Sequence, residues 1–296
     1  MSNIKAIKEE QEFFKTFNNF MLTYQQLGAI KMQLIRDNIV QTRRYMDGLA
    51  DVFIDVQEAH KRLIRQLILN RNKNKDLIQI SFSTFKKNKR SALVLISPDT
   101  KFSGAVNRQV FTQFEQSLSQ IKANTDIIIV GTVGEQIFRE KFPTKKYTPF
   151  HIPQSQNKIG DLKDLIEKLV NYNRVDIYYP RFFTLIKQKP VTTNITGNMS
   201  LNKINSEKTR EDKDFVFEPK LDTMIRFFEL QVFTSLLQQT VNESYLANLG
   251  SRIITLESAT QSVRKEYEDL TRQYRSLSKQ LKNRKQRSQM TGVALW

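Results

Sequence analysis

Apolar side chains recur every three or four residues, or at multiples of these steps, through the first 70 residues. Residues 4–67 contain no proline, and the recurring apolar positions are Phe14, Phe17, Met21, Tyr24, Ile35, Ile39, Met46, Leu49, Phe53 and Val56. Steps of three and four place side chains on one face of an α-helix. The pattern therefore predicts one long N-terminal helix with a single apolar stripe.

The C-terminal third has a more regular apolar pattern. After Pro219 no proline follows, and Leu256, Val263, Leu270 and Leu277 recur every seven residues. Further apolar positions at Ala259, Tyr267, Tyr274 and Leu281 complete a heptad-like seam. We expect Leu256, Val263, Leu270 and Leu277 to face the N-terminal helix in a long antiparallel coiled coil, with residues 20–45 beside residues 240–275.

The middle of the chain has a different pattern. SALVLISPD (91–99) and TDIIIVG (125–131) are continuous β-branched runs, each followed by a helix-like segment. Such runs are typical of strands buried on both faces of a parallel sheet. The sequence therefore predicts a Rossmann-like α/β domain with a mainly parallel sheet, later strands from RVDIYYPRFFTLIKQKPVTTNIT lying near its edge. We predict domains at 1–70, 71–214 and 215–296.

Composition limits the chemistry. The chain has 47 Lys and Arg against 30 Asp and Glu, a net charge of +17, no cysteine and two histidines. The missing cysteines exclude disulfides and thiolate metal sites, and no catalytic cluster or metal-ligand set stands out. We expect no catalytic residue, cofactor or metal. The turn SPDTKFSGAVN (97–107) lacks the repeated glycines of a phosphate loop, so we expect a structural turn, with a nucleotide-binding enzyme as an alternative.

Residues 280–296 contain the most distinctive cluster of basic residues in the chain. QLKNRKQRSQMTGVALW (280–296) joins a cationic stretch to an apolar end, and the candidate partner-contact residues are Lys282, Arg284, Lys285, Arg287, Met290, Val293, Leu295 and Trp296. A strongly basic surface predicts an acidic partner. A basic coiled-coil scaffold that binds nucleic acid or an anionic membrane is one alternative. Because no run of about 18 apolar residues occurs, we expect a cytosolic protein, peripheral to the membrane.

Several motifs in order resemble the γ subunit, the central rotor shaft, of rotary F-type ATPases. They are IKAIKEEQEFF near the start, the pattern of Ser97, Asp99, Gly104 and Asn107, the segment DIIIVGTVGEQIFREK, the helix-opening FEP (217–219), NESYLANLGSRIITLESAT (242–260) and the closing GVAL. The family's double glycine is Gly104-Ala105 here, and Leu249-Gly250 replaces an Ala-Arg pair. Near the end of the chain, the family's Arg-Gln followed by acidic residues is Ser278-Lys279 and Lys285 here. The rotor–stator contacts of the family are therefore not carried over.

The resemblance implies a mechanical, non-catalytic role. A two-helix shaft would enter a ring of alpha and beta subunits, the central domain would hold an epsilon-type subunit, and a membrane c-ring or another adaptor would be attached at its foot. Nucleic acid is not an expected partner. The abundance of Asn, Lys and Ile is typical of AT-rich genomes of the mycoplasma kind, which predicts such a source and a divergent ATPase.

Overall fold

Two long helices dominate the protein. The computed structural model describes residues 2–70, 88–100, 104–121, 124–152, 159–196 and 221–293. Helix α1 spans Ser2–Asn70 and helix α5 spans Leu221–Val293. The chain divides into two compact units, one of residues 1–31 and 252–296 and the other of residues 32–251. Each unit therefore contains part of α1 and part of α5.

The unit of residues 32–251 contains a mixed five-stranded sheet among its described residues. Its strands are β1 (Asn88–Ile96), β2 (Thr125–Val130), β3 (Thr148–Phe150), β4 (Tyr172–Phe182) and β5 (Gln188–Asn194). Their order is β3-β2-β1-β4-β5; only β5 is antiparallel to its neighbour, and it lies at an edge. The predicted α/β class with a mainly parallel sheet is confirmed.

Helices cover both faces of this sheet because the central strands bury side chains on both sides. Helices α2 (Val106–Leu118) and α3 (Thr132–Lys141) pack on one face, where Phe114, Phe138 and Tyr178 form an aromatic cluster. Helix α4 (Lys163–Leu169), preceded by a 3₁₀ turn at Ile159–Leu162, packs on the other face. Phe233, Leu237 and Val241 of α5 join that second core, so the sheet holds the C-terminal helix directly.

The two long helices pack antiparallel. In the unit of residues 1–31 and 252–296, Gln11 is hydrogen-bonded to Thr271 and Gln25 to Glu257. Fourteen residues forward along α1 thus correspond to fourteen residues backward along α5. In the unit of residues 32–251, Ile35 and Ile39 pack against Tyr245, Leu246 and Leu249. The predicted antiparallel helix pair is confirmed.

The α1 face that meets α5 differs from the predicted stripe. Ile7, Met21 and Ile35, which recur at intervals of fourteen residues, are buried. Phe17, placed in the single stripe from its spacing, is instead 40% exposed and stacks on Phe13, their ring centroids 6.0 Å apart. The prediction of one stripe is therefore wrong between residues 13 and 30, because α1 carries a second, outward row of apolar side chains: Phe13, Phe17, Phe20, Leu27 and Ile30.

A cross-link tests the register of the helix pair. The chain has no cysteine, so the double variant Gln25→Cys/Glu257→Cys carries the only two thiols. A short bismaleimide should join them within one chain, because the native side chains end 3.2 Å apart. The matched control Gln25→Cys/Glu268→Cys moves one thiol about 16 Å along the helix and should not react within the chain. Mass spectrometry would contradict the register if the control cross-linked equally, or if linked dimers formed instead.

Candidate functional site

The described end of α5 is a basic helical surface. From residue 270 onward the sequence has no Asp or Glu, while Arg272, Arg275, Lys279, Lys282, Arg284, Lys285 and Arg287 are all cationic. Residues 278–290 are exposed, and Met290 is 75% exposed. Leu295 and Trp296 lie outside the described residues, as does the side chain of Val293. Because no acidic residue lies among these cations, this part of the helix has a positive potential that favours an acidic partner.

The register explains why this surface is open. Gln11 lies beside Thr271, so the first described residue of α1, Ser2, corresponds to about residue 280 of α5. Among the described residues, positions 281–290 therefore have no part of α1 opposite them. Lys282, Arg284, Lys285 and Arg287 all fall in this segment. Their role as partner contacts remains a prediction.

The four predicted seam residues differ in burial. Leu256 is 6% exposed, whereas Val263, Leu270 and Leu277 are only half-buried. The helices approach closely near Leu256, since a Cβ added to Gly28 would lie 3.2 Å from Cγ1 of Ile253. Burial of the seam thus decreases toward the basic end, and its assignment to these four residues remains a prediction.

Polar side chains interrupt the contact between the helices in the unit of residues 1–31 and 252–296. The Gln11 amide donates to Thr271 Oγ1 at 3.0 Å, and the Gln25 amide donates to Glu257 Oε2 at 3.2 Å. Asn18 Oδ1 is buried without a hydrogen-bond partner. The part-buried Gln11–Thr271 bond favours this register, because a shifted pairing would leave the amide without its partner, whereas the Gln25–Glu257 bond is exposed and Asn18 Oδ1 is unsatisfied in this register.

The carboxyl edge of the sheet is where an α/β protein would bind phosphate. Here two backbone N–H groups at the start of α3 are already hydrogen-bonded to side chains of the protein. The Thr132 N–H donates to Asp99 Oδ1 at 3.0 Å, and the Gly134 N–H donates to Ser97 Oγ at 2.9 Å. A Cβ added to Gly131, whose φ is +95°, would lie 2.1 Å from the Ser97 carbonyl oxygen. Ser97 and Asp99 therefore accept the hydrogen bonds that N–H groups at the start of α3 would otherwise offer to an anion.

The cleft beside this turn is too small for a nucleotide. Its volume is about 30 Å³, which is space for one or two water molecules. Residues from the ends of β1 and β2 and from α5 line it, among them Ile96, Ser97, Asp99, Gly131, Val241 and Ser244. Ser97 and Asp99 thus have a structural role at the start of α3, while residues 101–103 of the 97–107 turn lie outside the described residues and the rest of its assignment remains a prediction.

A buried carboxylate anchors α5 to the sheet. Glu243 is 4% exposed, its Oε2 lies 3.3 Å from Nε of Arg181, and its Oε1 accepts from the Gln239 amide at 3.0 Å. The hydroxyl of Tyr179 lies 3.5 Å from the same carboxylate, and burial raises the pKa of Tyr179. A second polar contact joins the start of α2 to α5, where the Asn107 amide donates to Asn248 Oδ1 at 2.8 Å. These directional contacts fix the rotation of α5 about its own axis relative to β4 and α2.

Neither a metal site nor a membrane span is found in the described ranges. No group of three or more His, Asp or Glu side chains there could hold a metal ion. No helix among these residues is long and apolar enough to cross a membrane.

Comparison with known proteins identifies the family. The protein-family profile described as ATP synthase matches residues 3–280. The curated relatives that match are ATP synthase gamma chains. The chain belongs to the ATP synthase gamma-chain family. The gamma chain of Nitrosomonas eutropha is 20% identical over 315 residues, covering 99% of each chain. That of Gloeothece citriformis is 21% identical over 295 residues, covering 88% of each.

The match to some relatives is partial. The gamma chain of Rippkaea orientalis is 25% identical over 203 residues, which cover 66% of this chain and 60% of the relative. The gamma chain of Crocosphaera subtropica gives the same identity and coverage. The chain thus spans about 60% of the length of these two curated relatives.

Solved structures confirm the fold. The central stalk and c-ring structure of the Tetrahymena thermophila mitochondrial ATP synthase contains a chain with a TM-score of 0.56 and 15% identity. That match covers 81% of this protein and 99% of the Tetrahymena chain. A chain in the OSCP/F1/c-ring structure from Euglena gracilis has a TM-score of 0.52 and 13% identity, covering 89% and 93% of the two chains. At these identities the likeness concerns the fold alone.

Sequence reasoning missed the polar positions of the helix contact. The interhelical partners Gln11 and Gln25 were not predicted because attention to apolar steps alone passes over polar seam residues. A signal was present: Ile7, Phe14, Met21, Gly28 and Ile35 recur every seven residues, and Gln11, Asn18, Gln25 and Met32 follow each of the first four by four. That spacing is a heptad pattern in which three of the four residues at one of its two seam positions are polar.

Replacing Asp99 tests the self-capped turn. Asp99→Ala removes the acceptor for the Thr132 N–H and should lower the free energy of unfolding by about 0.5–2 kcal/mol. Asp99→Asn keeps an oxygen acceptor and should lose less. Urea denaturation measures both.

Calorimetric titration should find no ATP binding to the isolated chain, whereas affinity for ATP that disappears on changing Gly104 would favour the nucleotide-binding alternative.

Proposed function

We propose that this chain is the central rotor shaft of an F-type or F-type-like rotary ATPase. Its partners would be the alpha and beta subunits of the catalytic ring, an epsilon-type subunit, and a membrane c-ring or another adaptor. It would carry no catalytic residue itself and would act at the cytoplasmic face of the membrane, within a membrane-associated complex. Family membership and the fold shared with central-stalk chains support this proposal.

The antiparallel pairing of α1 with α5 is the observation that carries it. A shaft must resist sliding of one helix along the other, and the Gln11–Thr271 and Gln25–Glu257 hydrogen bonds oppose such sliding. It must also hold α5 against rotation at the α/β domain. The buried Glu243 carboxylate with Arg181 serves that purpose, because turning α5 would leave a buried charge without its cation.

Torque transfer then follows from differential contact energy. A ligand or partner shifts a conformational equilibrium only by its difference in affinity for the states. An asymmetric shaft contacts each catalytic site differently at each angle, so hydrolysis at one site would favour a new angle. The exposed end of α5 suits this role, since cations in water gain only about 0–1 kcal/mol per surface pair and so do not hold the shaft at one wall.

The nucleic-acid alternative gains no support from the comparisons. The basic residues 282–287 lie on a helix without interleaved aromatic residues or glycines, which are the usual means of stacking bases. Strong retention on nucleic acid at about 150 mM salt, lost when Lys282–Arg287 are neutralised, would favour it.

Two truncations test the rotor assignment. Deleting residues 289–296 should leave assembly with the alpha and beta subunits intact and lower ATP turnover modestly, because Gln11 keeps its partner Thr271. Deleting residues 266–296 removes Thr271 and much of the α1 contact, and should loosen the complex. Size-exclusion elution and ATP hydrolysis of the reconstituted complex measure both effects. Complete loss of assembly in the shorter deletion would make the end of α5 an anchor and contradict a rotating bearing.

A further inference from the structure

A second heptad pattern runs along the exposed side of α1 within residues 1–31. Its members recur in alternating steps of three and four residues and are Glu10, Phe13, Phe17, Phe20, Tyr24, Leu27 and Lys31. All of them are exposed except Tyr24, which is half-buried. Such spacing is that of a coiled-coil seam. We call these seven positions the outward seam.

Neighbouring rings of the outward seam pack on one another. Phe13 stacks on Phe17 with ring centroids 6.0 Å apart, and Phe20 stacks on Tyr24 with centroids 5.8 Å apart. The guanidinium carbon of Arg252 lies 5.9 Å from the centroid of the Tyr24 ring. Because these rings already have neighbours that hold them, a partner helix would have to fix few additional side chains.

The outward seam differs from the rest of the chain in charge. Residues 16–30 contain no Asp, Glu, Lys or Arg, although the chain carries a net charge of +17. Like charges oppose the approach of two copies of a strongly basic chain. This uncharged stretch is therefore a surface at which two copies can meet without placing cation against cation.

The two ends of the outward seam have opposite charges. Its first position is Glu10 and its last is Lys31. In an antiparallel pair of copies, Glu10 of each copy would lie near Lys31 of the other, whereas a parallel pair would place like charges together. Charges beside a coiled-coil seam set the choice and orientation of the partner. The seam is thus self-complementary in the antiparallel orientation, as a two-fold symmetric contact requires.

The apolar surface along the seam is large enough for a weak dimer. Phe13 is 62%, Phe17 40%, Phe20 59%, Leu27 49% and Ile30 58% exposed. With about 200 Å² for a fully exposed side chain of this size, these residues present roughly 500 Å² per chain. Two copies would bury about 1,000 Å² in total, which is near the lower limit for a specific interface.

We propose that two copies of the free chain associate antiparallel through the outward seam. A second copy is favoured over the acidic partner expected for the basic end of α5, because such a partner would meet Glu9, Glu10 and Glu12 at the start of the seam. The proposal concerns the free chain and does not rest on the rotor function.

Sedimentation equilibrium of the full chain measures the association. The wild type should dimerise with a Kd on the order of 10 μM, as suits a small interface. Phe13→Gln/Phe20→Gln should weaken dimerisation at least roughly tenfold, because two central apolar anchors are lost. Glutamine favours helices and both rings are exposed, so thermal melting should stay near that of the wild type. The control Val40→Gln, at an exposed position of α1 beyond the seam, should change Kd less than about twofold.

Charge exchange tests whether the seam is self-complementary. Glu10→Lys would bring two cations together at each end of the dimer, and Lys31→Glu would bring two carboxylates together. Each single variant should weaken dimerisation roughly threefold to tenfold. The double variant Glu10→Lys/Lys31→Glu restores opposite charges and should dimerise like the wild type. Added salt should reduce these differences, because the charges are exposed.

Two threonines offer a matched test of orientation. Thr16 and Thr23 are both exposed, and each donates its hydroxyl to the carbonyl oxygen four residues earlier at 2.9 Å. Residue 23 lies near the middle of the seam, so Thr23→Cys should link to its counterpart in a second copy through a short bismaleimide. In Thr16→Cys the two thiols would lie about 15 Å apart along the helix axis and should not link. The chain has no other cysteine to interfere.

Three results would overturn the proposal. The first is a wild type that stays monomeric at about 100 μM, ten times the expected Kd. The second is equal linking through Thr16→Cys and Thr23→Cys, which a parallel pair would give. The third is a Phe13→Gln/Phe20→Gln variant that dimerises like the wild type.

The same variant identifies the other possible occupants of the seam. If the wild type is monomeric and Phe13→Gln/Phe20→Gln no longer joins the alpha and beta subunits, the outward seam is a ring contact. If the wild type is monomeric and only the wild type binds phosphatidylcholine vesicles, the seam is a membrane contact. Either result replaces the dimer.

Discussion

The pairing of α1 with α5 is the constraint on which the other features depend. Two helices more than sixty residues long present many alternative pairings, since an apolar seam alone permits slips of one heptad. Polar partners remove these alternatives. Gln11 with Thr271 and Gln25 with Glu257 are satisfied in this register, and a shift would leave the part-buried Gln11 amide without its partner. The structure thus accepts a less apolar seam in return for a single alignment.

A similar exchange occurs where α5 meets the sheet. Glu243 is a buried carboxylate, and burying a charge costs free energy unless it is well paired. An uncharged leucine at the same position would avoid that cost. The pair with Arg181 supplies direction instead, because it holds one face of the helix against β4. The proposed rotor shaft would require such resistance to twisting.

The sequence predicts the secondary-structure elements of the fold better than it predicts the contacts between them. Runs such as SALVLISPD and TDIIIVG are long and β-branched, and the structure has strands there. The turn at residues 183–187 between β4 and β5 was not predicted, because the apolar residues of RFFTLI are typical of a strand and only the backbone hydrogen bonds show that the turn begins at Phe183. The cap from Asp99 was also beyond sequence reasoning, since it joins residues 33 apart. The heptad spacing of Gln11 and Gln25 places them in the helix contact, but a prediction based on apolar positions alone leaves them out.

Observing rotation of single complexes would test whether this chain is a rotor. The alpha and beta subunits would be fixed to a surface with this chain in the ring, and a gold particle attached at an exposed residue of the α/β unit, such as Lys163→Cys in a chain without other thiols. If the rotor assignment is correct, ATP drives rotation in one direction, with as many pauses per turn as the ring has catalytic sites. A particle that stays still, or only fluctuates, while the same complexes hydrolyse ATP would contradict the rotor assignment.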